Sequence, residues 1–215
     1  NPRKVKACYY ASIELIDRHL GLIMDKLEEM ELLEDTIIIF MSDHGELLGD
    51  HGLLYKGCRF FEGLVHVPLI VSGTEKFEEN LKSEALVELV DIAPTLLDIA
   101  GIDVPYFIQG ESFYNILTGK QNPDNHKSHV VSEFNDAVNL AEGTHGFMYF
   151  DGRYKISIYQ GHEVGEIYDL KNDPGEFNNL WFNSEYQELK QELLFDLSQA
   201  ILETSSAGIK RSGDY

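Results

Sequence analysis

Asp43, His44, Glu46, Asp50, His51 and Lys56 are residues of the kinds that ligate cations, carry protons or hold anions. They crowd into the stretch "SDHGELLGDHGLLYKG", directly after the apolar run "TIIIFM" and spaced by glycines at 45, 49, 52 and 57. A carboxylate beside an imidazole at the end of a strand can ligate a divalent cation. Adjacent side chains on an extended strand diverge, but Gly45 permits a turn at which they converge. An aspartate capping a turn, with a histidine bonded to it, is the plainer explanation of Asp43 and His44 taken alone. Lys56 lies thirteen positions after Asp43, far enough for the chain to return to the same mouth. A metal with a lysine ammonium beside it makes a cradle for an oxyanion. His51 fits a general acid, an orienting partner or a loop histidine bonded to Asp50. Glu46 fits a solvated or structural loop position.

These residues need an element that ends where a ligand can reach. "TIIIFM" is short, continuous and β-branched, which suits a strand buried on both faces of a parallel sheet, and "LVHVPLIVSG" (Leu64–Gly73) is a second such run. In open α/β sheets, ligands bind beyond the carboxyl ends of such strands. Over residues 5–30, Ile13, Ile16, Leu20, Ile23, Leu27 and Met30 recur in steps of three and four, predicting an amphipathic helix. "DIAPTLLDIAG" predicts a helix with Asp91 as N-cap, Pro94 in its first turn and Gly101 just past its end. Residues 103–128 are loop-rich. Beyond them the texture changes to short strands with aromatic alternation, "HVVSEF", "GFMYF", "YKISIYQ" and "EIYDL", with a turn at Asp151-Gly152. "SEYQELKQELLFDLSQAIL" then closes as an amphipathic helix with Ser184 as candidate N-cap. The expectation is half of an α/β layered domain over 1–128, followed by a small antiparallel sheet packed with a helix over 129–215.

The chain has 215 residues, enough for one sizeable core or for a domain with a smaller companion. Its 37 acidic and 17 basic residues give a formal net charge of −20. No basic face for nucleic acid or an anionic membrane is visible, and any anion must be held by local cations. No apolar run approaches the ~18 residues of a membrane span. Two cysteines, Cys8 and Cys58, imply no disulfide framework, and the compartment is left open. The chain opens "NPRKVKACYY", without an initiator methionine or signal-peptide core, as a processed or cut piece would.

Taken together, these segments resemble the sulfatases of the alkaline-phosphatase superfamily. "SDHGELLGDHGLLYKG" resembles the second signature region of that family, "YYASIELIDRHLG" the helix before it and "HVPLIVSG" the strand after it. "LVDIAPTLLDIAGI" with "GESF" resembles the next family helix and its sequel, and "EIYDLKNDPGEFNNL" the run near sulfatase C-termini. The likeness spans nearly all of residues 7–200. It implies the second half of an alkaline-phosphatase-like α/β/α domain with a small C-terminal sheet-plus-helix subdomain. It implies Asp43 and His44 as metal ligands and Lys56 as a contact to the ester's sulfate or phosphate oxygens. His66 stands where the family commonly has arginine, and takes no role.

The family's nucleophile is a formylglycine made from cysteine or serine in a Cys- or Ser-x-Pro-x-Arg segment of an N-terminal half, where two further acidic ligands also lie. Cys8 is followed by "YYAS" and Cys58 by "RFFEG", so neither fits. The resemblance therefore implies the C-terminal half of a sulfuric ester hydrolase, inactive by itself and partnered by the missing N-terminal half of the same protein. Calcium is the family's usual metal; an imidazole ligand leaves manganese open. The substrate is a small sulfate ester or a sulfated glycan. A phosphonate monoester or phosphodiester hydrolase of the same superfamily is the alternative, and a non-catalytic binding fragment a third. Self-association through surface that a missing half would cover is also expected.

Overall fold

The computed structural model describes residues 2–135 and 144–205. The chain divides into two compact units, Asn1–Glu79 and Asn80–Tyr215.

In the first unit, helix α1 (Pro2–Glu29) opens with a proline, whose fixed φ suits a first helical position. Its apolar stripe matches the expected periodicity, yet none of its residues is buried: Ile13, Ile16 and Ile23 are each at least half exposed. Strand β1 (Ile38–Met41) pairs with β2 (Leu69–Ser72), and between them sit the site loop and the one-turn helix α2 (Glu62–Val65). Two expectations fail here. The strands run antiparallel, with Ile38 opposite Ser72 and Met41 opposite Leu69, not parallel. An apolar run reports burial and carries no direction. Nor does the second strand start at Leu64: Glu62–Val65 coil into helix, and His66 N donates to Glu62 O to close that turn at 3.0 Å. The strands are also only partly covered, with Ile70 and Met41 exposed among the described residues.

In the second unit, α3 (Ile92–Ile99) follows a 3₁₀ turn over Leu89–Asp91, and α4 (Tyr114–Leu117) comes after it. Gly101 lies just past α3 at φ +68°, as expected of a helix stop. Asp91 sits at the N-cap position, but its carboxylate turns away from α3. It accepts the backbone N–H groups of Glu88 and Glu111, each at 2.8 Å, and pairs with Lys127 at 2.6 Å. Burial works against the Lys127 ammonium, but its hydrogen bonds to Asp91 and Glu88 outweigh that and hold its pKa above the ordinary lysine value.

The four aromatic runs form one antiparallel meander, β3 (Val130–Asn135), β4 (His145–Phe150), β5 (Tyr154–Tyr159) and β6 (Glu166–Asp169). It is separate from the β1–β2 pair, as the change in texture near residue 128 predicted. Register places Tyr149, Ile156 and Ile167 on one face. Helix α5 (Gln187–Thr204) buries Leu193, Leu197 and Ala200 against them, with Leu180 and Trp181 completing the core. Burial pushes the Tyr149 phenol up to about 12. The residue that caps this end of the chain is Asn183, whose side chain accepts from Glu185 N at 3.0 Å, one position before the expected Ser184.

The opposite face of the meander carries Lys155, which is 1% exposed and pairs with Glu176 at 2.5 Å. The segment after β6 is fastened by side chains. Asn179 Oδ1 accepts from Ile167 N and Trp181 N, Asp173 accepts from Asn178 N at 2.7 Å, and Asp169 takes a two-pronged contact from Arg153.

Candidate active site

Asp43 to Lys56 fold as a loop whose floor is apolar. Leu47 is 1% exposed, and Cys58, Phe60, Phe61 and Leu64 are buried beneath the return. The turn out of β1 is closed by Ser42, whose hydroxyl donates to His44 O at 2.8 Å. Gly45 then passes so close to α2 that a Cβ there would collide with the carbonyl oxygen of Gly63, and its N–H donates to Leu64 O at 2.8 Å. This is a glycine demanded by close approach rather than by dihedral angle. Further on, Leu48, Gly49, His51, Gly52, Tyr55 and Gly57 all adopt positive φ. That succession of left-handed residues folds the chain back on itself, and at the non-glycine positions it costs roughly 1 kcal/mol or more each.

The fold-back brings Lys56 Nζ to 2.8 Å from His44 Nε2. His44 Nε2 in turn lies 3.8 Å from Asp43 Oδ2. The other ring nitrogen, Nδ1, is 2.8 Å from Gly45 O. A carbonyl oxygen can only accept, so Nδ1 carries the proton and Nε2 offers its lone pair. This is the arrangement that presents an imidazole to a cation, with the distal N–H anchored on backbone. The structure thus brings three of the expected residues together, Asp43, His44 and Lys56. The fourth, His51, is set differently: its ring stacks on Phe61 with centroids 3.8 Å apart and planes 11° from parallel. Glu46 accepts Leu48 N at 3.2 Å, a structural contact within the loop. Asp50 Oδ1 stands 3.9 Å from Lys6 Nζ, and His66 pairs with Glu62 at 2.9 Å.

A carboxylate oxygen and an imidazole nitrogen 3.8 Å apart can both reach one ion at about 2.0–2.4 Å. The donor set therefore fits a divalent cation as part of its shell. Among the described residues no third histidine, cysteine, aspartate or glutamate joins them.

Sequence periodicity did not single out the polar residues that hold the second unit together. The signal for Lys155 was a lysine within the largely apolar strand "YKISIY", and that for Glu176 was its place in the run "NDPGEF".

Comparison with known proteins decides the family. The family described as N-sulphoglucosamine sulphohydrolase, C-terminal, matches residues 49–203, well over half of the chain. The chain belongs to the sulfatase family. This sulfatase chain is 36% identical over 198 residues to arylsulfatase K of Mus musculus, covering 89% of this chain and 34% of the relative. It is 33% identical over 189 residues to N-acetylglucosamine-6-O-sulfatase of Bacteroides thetaiotaomicron, covering 86% and 34%. Its fold superposes with a TM-score of 0.81 and 26% identity on a protein solved in complex with its substrate D-glucosamine-2-N,6-O-disulfate, covering 92% of this chain and 41% of that one. The sulfatase chain spans about a third of the length of the relatives it matches. Its fold is the second half of an alkaline-phosphatase-like α/β domain with a small antiparallel sheet and helix. Sulfatases generally use a divalent metal and a formylglycine.

Proposed function

We propose that this chain supplies the cation- and oxyanion-binding part of a sulfuric ester hydrolase. One observation carries the reading: His44 Nε2 lies 2.8 Å from Lys56 Nζ and 3.8 Å from Asp43 Oδ2, on a loop clamped by Gly45. Asp43 and His44 Nε2 hold the divalent cation, calcium by preference and manganese as the alternative. When bound, the cation neutralises and polarises the ester's sulfate oxygens.

The chain's own residues do the rest. Gly45 O fixes the His44 ring by accepting from Nδ1. The Lys56 ammonium holds a non-bridging sulfate oxygen as a charge-assisted donor. His51, kept in plane by Phe61, is the candidate proton carrier or orienting group of the loop. Neither Cys8 nor Cys58 lies in a Cys-x-Pro-x-Arg segment. The formylglycine nucleophile and the other acidic ligands are therefore proposed on an N-terminal half outside these residues. The boundary between catalytic and C-terminal parts is proposed at 128/129, just ahead of β3.

The proposed substrate is a sulfated sugar or another small sulfate ester. Support comes from the relative named for N-acetylglucosamine-6-O-sulfate chemistry and from the neighbour bound to a disulfated glucosamine. A net charge of −20 repels polyanions at long range, which gives the local cation and Lys56 the task of capturing the anion. No helix among the described residues is long and apolar enough to cross a membrane. The test is release of sulfate from glucosamine 6-sulfate and from an aryl sulfate by the protein that carries these residues, with calcium or manganese. Activity that survives Asp43→Ala, or a phosphonate monoester turned over in preference to both sulfates, would reject the assignment.

A further inference from the structure

His44 can make one contact through Nε2 at a time. Its Nδ1–H is committed to Gly45 O at 2.8 Å, and Gly45 is itself locked, because its N–H donates to Leu64 O and its Cα lies against Gly63 O. The ring therefore cannot turn its other nitrogen outward without breaking the clamp. Nε2 has a single in-plane lone pair, and Lys56 Nζ donates to it at 2.8 Å. A cation coordinated by His44 needs that same lone pair. The Lys56–His44 hydrogen bond and cation ligation by His44 are mutually exclusive.

We propose that Lys56 is a place-holder for the cation, and that loading of His44 releases the Lys56 amine to meet the anionic ester. This rests on Asp43 and His44 being the cation ligands. The amine is mounted for such a move. Lys56 is solvent-exposed on a flexible four-carbon stem, next to Tyr55 at φ +67° and Gly57 at φ +133°. While the amine is tied to His44 it is a poor donor to an outside anion, and once displaced it stands beside a newly bound positive charge. The like charges then push it toward incoming sulfate oxygens. The site consequently assembles in order, divalent cation first and sulfate ester second. Lys56 Nζ and Asp43 Oδ2 both face His44 Nε2, at 2.8 Å and 3.8 Å, so the amine holds the place that the cation would take.

The experiment measures manganese affinity, by the loss of the free-ion electron paramagnetic resonance signal, in the protein that carries these residues and in four variants. Asp43→Ala and His44→Ala should each weaken binding tenfold or more. Lys56→Met, which removes both the donor and its charge, should tighten it about fivefold, the order expected for deleting a unit charge roughly 8 Å from a divalent ion in a water-rich site, where the displaced amine would stand. Lys6→Met removes a nearby charge that does not touch His44 and should stay within twofold. A second readout is structural: the ¹⁵N resonance of His44 Nε2, without metal, should shift downfield in Lys56→Met as the hydrogen bond is lost. Unchanged or weakened manganese binding in Lys56→Met, with Asp43→Ala still defective, overturns the place-holder role and leaves the ligands standing. Unchanged binding in both Asp43→Ala and His44→Ala overturns the ligand assignment and the proposal with it. Equal tightening in Lys6→Met and Lys56→Met reduces the effect to general charge and also overturns it.

Discussion

The ammonium of Lys155 lies 2.5 Å from the carboxylate of Glu176, and both side chains are shut away from solvent. Two charges taken out of water attract strongly at that distance, but each has given up its hydration, so the pair as a whole contributes little net stability. Losing one member is another matter, because the survivor is left charged in a dry place. Glu176→Ala should destabilise the second unit by about 3–5 kcal/mol. Replacing both members, Lys155→Met with Glu176→Leu, should recover much of that loss. Urea unfolding followed by Trp181 fluorescence measures both, and a double variant no more stable than Glu176→Ala would contradict the account.

Asp169 gives the same unit an acid limit. Its hydrogen bonds from Arg153, and then from Asn172, hold its carboxyl down at about 2, against an ordinary value near 3.8. A group whose folded pKa is depressed stabilises the fold above its unfolded pKa and loses that contribution as pH falls toward the folded one. The stabilisation is therefore complete above about pH 4 and fades between about pH 4 and 2. Asp169→Asn should be less stable than the natural chain at pH 6, with the gap closing by pH 2. Urea midpoints at pH 6, 4 and 2.5 report it, and a gap that stays constant would remove Asp169 from the acid response.

Lys56 carries the anion in the proposed reaction. Lys56→Ala in the assembled enzyme should lower kcat/KM for a sulfate ester by ~10²-fold or more, the usual cost of deleting one preorganised charge-stabilising donor. Steady-state kinetics decides this, and a fall of less than threefold would make the lysine a surface charge.

The 215-residue chain by itself should release no sulfate and bind calcium no tighter than about millimolar. Asp43 and His44 are two donors for an ion that takes six to eight. It should also self-associate, because the stripe of Ile13, Ile16 and Ile23 on α1 is exposed. Sedimentation analysis should find dimers or larger species, and Ile16→Asp with Ile23→Asp should shift them toward monomer. Monomeric natural chain at micromolar concentration would show the stripe to be inert.

Much of this was legible in the sequence. Strands β3 to β6 alternate aromatic and polar residues because the meander has two distinct faces, and period two survives in such strands. Helices α3 and α5 kept their spacing for the equivalent reason, whereas α1 carries its apolar stripe although none of its described residues is buried. The direction of β1 and β2 was not legible, since a continuous apolar run of four or five residues is the same in either orientation. Nor was the helical turn at Glu62–Val65, where Leu64 and Val65 read as the start of the strand but close a turn with Glu62 instead. In the site, the glycines marked the fold-back and the charged types marked its purpose. That Lys56 would bond to His44, and that His51 would lie flat on Phe61, depends on left-handed dihedrals at His51 and Tyr55. Local sequence does not announce those, because neither residue favours them. Asp91 shows the converse: a helix-capping residue by position, it takes the N–H of Glu88 three residues back and is drawn from α3 by Glu111 and Lys127, which arrive from 20 and 36 positions along the chain.

The pairing of Met41 with Leu69 has a consequence for the order of events in folding. Everything proposed to bind a cation hangs in the loop that this pairing closes, whereas β4 and β5 meet across only Asp151, Gly152 and Arg153. Closing the longer loop loses more chain entropy before any contact repays it, so the local meander forms early and the β1–β2 ladder late. Asp43, His44 and Lys56 are therefore expected to reach their places late in folding. A cation that binds them has nothing to grip in the transition state. A cation held there should slow unfolding more than it speeds folding, which unfolding and refolding rates with and without manganese would check.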